Sequence, residues 1–129
     1  MILDPSALMA MLLEEPDAPA MERCIAAASS TCISAASLVE AQIVSEGRGG
    51  PDAARRLDTL LLRIGTEIVP FTAEHAALAR EGWRRYGKGR HPAGLNLGDC
   101  FSYALAHVRS EALLFKGDDF AKTDVKAAL

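Results

Sequence analysis

Residues 1–13, MILDPSALMAMLL, place two apolar residues, Ile2 and Leu3, ahead of a carboxylate, a proline and an unbroken run of helix formers. Asp4 before Pro5 has the chemistry of a helix N-cap with proline at the first helical position, and residues 7–13 then read as helix. Ile2 and Leu3 point to opposite faces of any strand they form, and both are apolar. A strand of this kind, so near the start of the chain, is buried only as the central strand of a parallel sheet covered by helices on both faces.

The alternation continues outward from that strand. Residues 14–19 break the first helix and residues 20–28 suit a second. Residues 30–34, STCIS, are β-branched and apolar enough for a second strand, and residues 36–46 form a helix ending at Gly47. Gly49, Gly50 and Pro51 mark a turn. Residues 52–64 carry Leu57, Leu60 and Leu61 on one helical face, with Arg55, Arg56 and Arg63 off it. Residues 67–70 form a third strand and 73–86 a helix. The Gly-rich, basic stretch 86–99, YGKGRHPAGLNLGD, reads as a loop. A helix over 99–108, a fourth strand over 113–115 and a short edge strand near Val125 complete the chain. The pattern predicts an α/β fold, three layers deep, with a central parallel sheet of about five strands. Ligands of such sheets sit beyond the carboxyl ends of the strands, where strand order reverses.

A length of 129 residues fits one domain, taken as 1–129. The net charge of -3 argues against nucleic-acid binding through the overall field, while leaving room for a local basic patch. Cys24, Cys32 and Cys100 form no C-x-x-C pair and are odd in number, so neither a zinc knuckle nor a disulfide framework is expected; a reducing, cytoplasmic setting is. The first residues have no basic n-region, and Asp4 interrupts their apolar run, so neither a signal peptide nor a membrane span is read there.

The chemistry lies in the acids. Asp4 follows the first strand, and Asp118 and Asp119 follow the fourth in LLFKGDDFAKTD, residues 113–124. Asp99 opens a helix, and Glu40 sits among Leu38, Val39, Ala41, Ile43 and Val44. Each aspartate alone is accounted for as a helix or turn cap. Glu40 is not, because a carboxylate in so apolar a helix needs a partner. Strand ends and helix starts at one sheet edge converge, and gathered carboxylates raise one another's pKa values or take up cations. Oxygen ligands suit Mg2+ or Mn2+ rather than zinc, and such an ion can activate water against a phosphodiester without a protein nucleophile. No cysteine has a histidine partner and no G-x-S-x-G elbow is present.

MILDPSALMAMLLEEPD, SAASLVEA with Glu40, YGKGRHPAGLNLGDCFSYALA with Asp99, and LLFKGDDFAKTDV together resemble PIN-domain ribonucleases, and among them the VapC toxins of bacterial toxin-antitoxin pairs. The resemblance spans essentially the whole chain. It implies a five-stranded parallel sheet and a Mg2+- or Mn2+-dependent endoribonuclease site. Asp4, Glu40, Asp99 and one acid of the last motif fall on the family's acidic quartet; Asp118 is assigned first, with Asp119 left open. Ser6 matches a small hydroxyl residue of the first motif that helps position water or metal. The resemblance also implies an RNA substrate, a homodimer and a VapB-type antitoxin whose C-terminal segment covers the cleft. Pro5 departs from the threonine commonly found there.

Arg80, Arg84, Arg85, Lys88 and Arg90, five of the 14 basic residues, would rim the site and hold phosphates that the acids repel; the competing reading is a solvated helix face. Lys116 is expected either to touch phosphate or to neutralise its corner, and His91, though a candidate general acid, to be incidental. A haloacid-dehalogenase-like phosphatase would need a second aspartate where Ser6 stands, and a receiver domain would need paired acids after strand one. A non-catalytic PIN-like module is the remaining alternative, though all four acidic positions are filled.

Overall fold

A computed structural model describes residues 1–129. Strands β1 (Ile2–Leu3), β2 (Cys32–Ser34), β3 (Glu67–Val69) and β4 (Leu113–Leu114) form a four-stranded parallel sheet in the order β3-β2-β1-β4. The first strand is interior, as its two apolar faces require. Helices α1 (Pro5–Leu12), α2 (Ala18–Ala27), α3 (Ala35–Ile64), α4 (Ala73–Tyr86) and α5 (Leu97–Arg109) surround the sheet, and a single 3-10 turn spans Phe120–Lys122.

Strands this short are held by what they bury. Ile2, Cys32 and Leu113 pack with Ala79, Tyr103 and Leu105 of α4 and α5. Their neighbours Leu3, Ile33 and Leu114 point the other way, against Leu8 of α1, Met21 of α2 and Leu57 of α3. Each fully buried Leu or Ile contributes roughly 1.5–3 kcal/mol, more than the ~1 kcal/mol that separates the best and worst strand formers, so packing on both faces decides the fold.

From β1 the chain steps outward through β2 and β3 with α1, α2 and α3 on one face. It then returns over the other face by α4 and α5 and adds β4 on the far side of β1. A constant crossover hand demands that change of face when direction reverses. The switch point therefore falls between β1 and β4, and the residues following them, Asp4 and the segment from Phe115 to Asp119, flank the crevice.

Three boundaries differ from the sequence reading. α3 runs through Gly47 and breaks only at Gly50 (φ 68, ψ -168). Pro51 disfavours helical geometry in the residue before it, and Gly50, having no Cβ, breaks the helix by taking a positive φ. The edge strand expected near Val125 is reduced to one parallel bridge, Leu113 to Ala127, so the sheet has four strands and not five. The stretch after α4 is a loop as expected, but α5 begins at Leu97 rather than Asp99, and the loop is closed on itself: Leu95 N–H donates to the Tyr86 carbonyl and Lys88 N–H to the Leu95 carbonyl, each at 2.9 Å, while Ala93 and Leu95 are buried. No helix is long and apolar enough to cross a membrane.

Candidate active site

Asp4 is the first residue after β1 and the N-cap of α1, and it is 4% exposed. Its Oδ2 accepts from Ser6 N–H at 2.9 Å and from Ser6 Oγ at 2.5 Å; its Oδ1 accepts from Ser102 Oγ at 2.6 Å. Burial pushes its pKa up, against the pull of the Ser102 and Ser6 hydrogen bonds. Ser6 Oγ in turn accepts from Lys116 N–H at 2.9 Å, tying the loop after β4 to the start of α1.

Glu40, near the start of α3, lies against the backbone of Gly98 so closely that a Cβ there would collide with its carboxylate. Its Oε2 is buried without a hydrogen-bond partner. Burial raises its pKa, and the charges of Asp4 and Asp99 raise it further. The neighbours that made Glu40 look enclosed are not all inside: Val39 is 53% and Ile43 67% exposed.

Asp99 does not open α5, as its sequence context suggested. Asn96 is the cap, and Asp99, three residues on, completes a capping box in which Asp99 N–H donates to Asn96 Oδ1 at 2.9 Å and Asn96 N–H to Asp99 Oδ2 at 2.8 Å. Even so its pKa is pushed up to about 6, first by burial and then by the charges of Asp4 and Asp119, with the Asn96 hydrogen bond opposing. Asp118 and Asp119 are both exposed beyond Gly117, whose φ of 96° turns the chain. Of the two, Asp119 is the one whose charge reaches Asp99.

At the carboxyl edge of the sheet the charges of Asp4 and Asp99 thus bear on Glu40, and those of Asp4 and Asp119 on Asp99. No three His, Cys, Asp or Glu side chains stand close enough around one point to form a ready-made metal cage. An orphaned, buried carboxylate oxygen and a donor set made only of oxygens do fit a small hard cation such as Mg2+, which commonly uses one or two carboxylates and keeps several waters.

Residues 1–126 match the model of the PIN domain family. Among curated proteins it is 50% identical over 127 residues to a protein named Ribonuclease VapC from Mycolicibacterium smegmatis, covering 98% of each chain. It is 48% identical over 125 residues to Ribonuclease VapC30 of Mycobacterium tuberculosis, covering 97% of this chain and 95% of that one. The chain is a PIN-domain protein of the VapC family. Its fold also resembles the crystal structure of VapC20 of M. tuberculosis, described as a toxin that cleaves the sarcin-ricin loop, with a TM-score of 0.78 at 17% identity over 96% of this chain and 95% of that one.

The basic stretch is divided by the fold. Arg80 and Lys88 border an apolar groove of about 490 Å³ between α4 and α5, with Phe71, Trp83, Leu97 and Phe101 among its walls; the groove opens beside Asn96 and contains none of the acids. Arg90 stacks over the Trp83 ring at 4.5 Å. Arg85 faces away from any rim, donating to Asp124 Oδ2 at 2.9 Å. The Lys116 ammonium pairs with Glu15, so it neutralises the α1–α2 corner. His91 holds its own loop, with Nδ1 accepting from Ala93 N–H at 3.1 Å. The three cysteines are free, and burial pushes the Cys100 thiol up to about 11, far from a nucleophile's range.

Ser102 and Ser37 are the members of this site that sequence reasoning missed. Both are buried, and their oxygens lie 3.3 Å apart behind Asp4. A signal was present: a serine inside the apolar run FSYALA needs a partner just as Glu40 does.

Proposed function

We propose that the chain is a Mg2+- or Mn2+-dependent endoribonuclease acting as the toxin of a toxin-antitoxin pair, and that residues 1–129 work as one domain. What supports this reading is that the charges of Asp4 and Asp99 bear on Glu40 beside the topological switch point, that Asp119 bears on Asp99, and that a buried oxygen of Glu40 is left unpartnered.

Asp4, Glu40 and Asp99 would surround the cation, one or two of them directly and the rest through its waters, with Asp119 rather than Asp118 as the fourth acid. A bound Mg2+ or Mn2+ supplies a more acidic water and stabilises charge on the phosphoryl oxygen. The chain's own part is to fix the carboxylates beforehand. Ser6 and Ser102 lock Asp4, the capping box locks Asp99, and Gly98 leaves room for Glu40 beside it. RNA would approach along Arg80 and Lys88, where Trp83 and Phe101 offer ring faces for an unpaired base.

The names of the relatives support a VapB-type antitoxin as partner. Exposed Val39, Ile43 and Leu97, around the contact of Glu40 with Gly98, support a homodimer whose interface lies next to the site. A cytoplasmic location fits three unpaired thiols. The test is RNA cleavage by purified protein free of antitoxin. Asp119→Asn is expected to abolish Mn2+-dependent cutting and Asp118→Asn to spare it; the opposite pattern would return the fourth position to Asp118.

A further inference from the structure

Asp4 is surrounded by more hydroxyl groups than an N-cap requires. Ser6 alone satisfies that role, through its N–H and its Oγ on Oδ2. Ser102 lies within α5 at 1% exposure, where a serine ordinarily returns its hydroxyl to the preceding turn. It donates instead to Asp4 Oδ1, across 98 residues of sequence. A hydroxyl has one proton, so Ser102 can only accept from Ser37, which sits at 0% exposure on α3. The direction of the chain follows: Ser37 gives to Ser102, and Ser102 gives to Asp4.

The positions of the two serines are informative. Ser37 is three residues before Glu40 on α3, and Ser102 three residues after Asp99 on α5. Residues three apart share a helix face, so the two hydroxyls lie one helical turn beneath the pair of acids, where α3 and α5 meet. A carboxylate offers about four acceptor positions. Three are filled on Asp4, two on Oδ2 and one on Oδ1. The one that remains is on Oδ1, the oxygen Ser102 holds.

We propose that Ser102, backed by Ser37, is a positioning residue that fixes Asp4 so that a single lone pair of Oδ1 is presented to the divalent cation. This rests on the metal-dependent reading above. Asp4 would then bind through one oxygen, and its orientation would be coupled to the α3–α5 contact that also sets Glu40 against Gly98.

The experiment is Mn2+ titration by calorimetry of the full chain, with thermal unfolding recorded on the same samples. Ser102→Ala is expected to weaken Mn2+ binding roughly 10- to 100-fold, the usual loss when a residue that orients a ligand is removed, and to lower kcat for RNA with little change in KM. Ser102→Thr and Ser102→Val have the same shape and differ in the hydroxyl, so any packing disturbance is common to both; Thr is expected to bind Mn2+ at least ten-fold more tightly than Val. Equal affinities for Thr and Val, or wild-type affinity in Ser102→Ala with only the unfolding temperature lowered, would overturn the inference and leave the metal reading standing. Wild-type Mn2+ affinity in Asp4→Asn would overturn both.

Discussion

Replacing Asp99 by Asn is expected to stabilise the metal-free protein at neutral pH, although it removes an acid from the site. Folding raises the Asp99 pKa from 3.8 to about 6, so the folded state binds its proton more tightly than the unfolded chain does. Stability from this group is therefore full below about pH 3.8, falls as pH rises to about 6 and stays low above. A rise of roughly two pKa units corresponds to about 3 kcal/mol, and solvent screening of a partly exposed carboxylate brings this to roughly 1–2 kcal/mol. Asn removes the charge but keeps an oxygen able to accept from Asn96 N–H, so the capping box survives. In EDTA at pH 7.5 the variant should melt about 4–7 °C above wild type, and the difference should vanish near pH 4. Saturating Mn2+ should reverse the order, because only the wild type gains binding energy, about 2.7 kcal/mol at a hundred times Kd. A variant no more stable than wild type at pH 7.5 in EDTA would refute the view that Asp99 is held charged in a repulsive site.

Gly98→Ala sets a methyl group against the Glu40 carboxylate, the flexible end of a side chain. The protein should fold with nearly unchanged melting temperature while RNA cleavage falls on the order of 100-fold, the scale of an ångström-sized misplacement; unchanged cleavage would show that Glu40 need not lie there. Asp124→Ala removes the acceptor shared by Arg85 at 2.9 Å, Tyr103 at 3.1 Å and His107 at 3.2 Å. Chemical denaturation should record a loss of roughly 1–2 kcal/mol, with metal-dependent cleavage retained.

The sheet was legible because paired apolar residues followed by a cap or a helix start recur down the chain, and β1 could only be central. The ends of elements were less so. Gly47 reads as a helix stop, yet a glycine inside a helix costs only about 1 kcal/mol, and α3 accepts it until Pro51 forces the break. The edge strand near Val125 failed because a single bridge at Ala127 is all that the tail forms. Asp4, Glu40 and Asp99 could be singled out by where they stood, but the choice between Asp118 and Asp119 depends on how Gly117 turns the backbone. Arg85 looked like part of a phosphate rim because its neighbours in sequence were basic; its partner Asp124 lies 39 residues away, beyond any local pattern. Ser102 carried half a signal: its place in the apolar run FSYALA called for a partner, but that the partner is Asp4, 98 residues away, is beyond any local pattern.

The central claim is that the acids at the switch point hold a divalent cation that cuts RNA. It is tested most directly by adding Mn2+ or Mg2+ to EDTA-treated protein and following cleavage of RNA by wild type, Asp4→Asn and Asp99→Asn, with circular dichroism to establish that each is folded. The expected result is cleavage by wild type only when metal is restored, and none by either folded variant; cleavage in EDTA, or by both variants at the wild-type rate, would contradict the account.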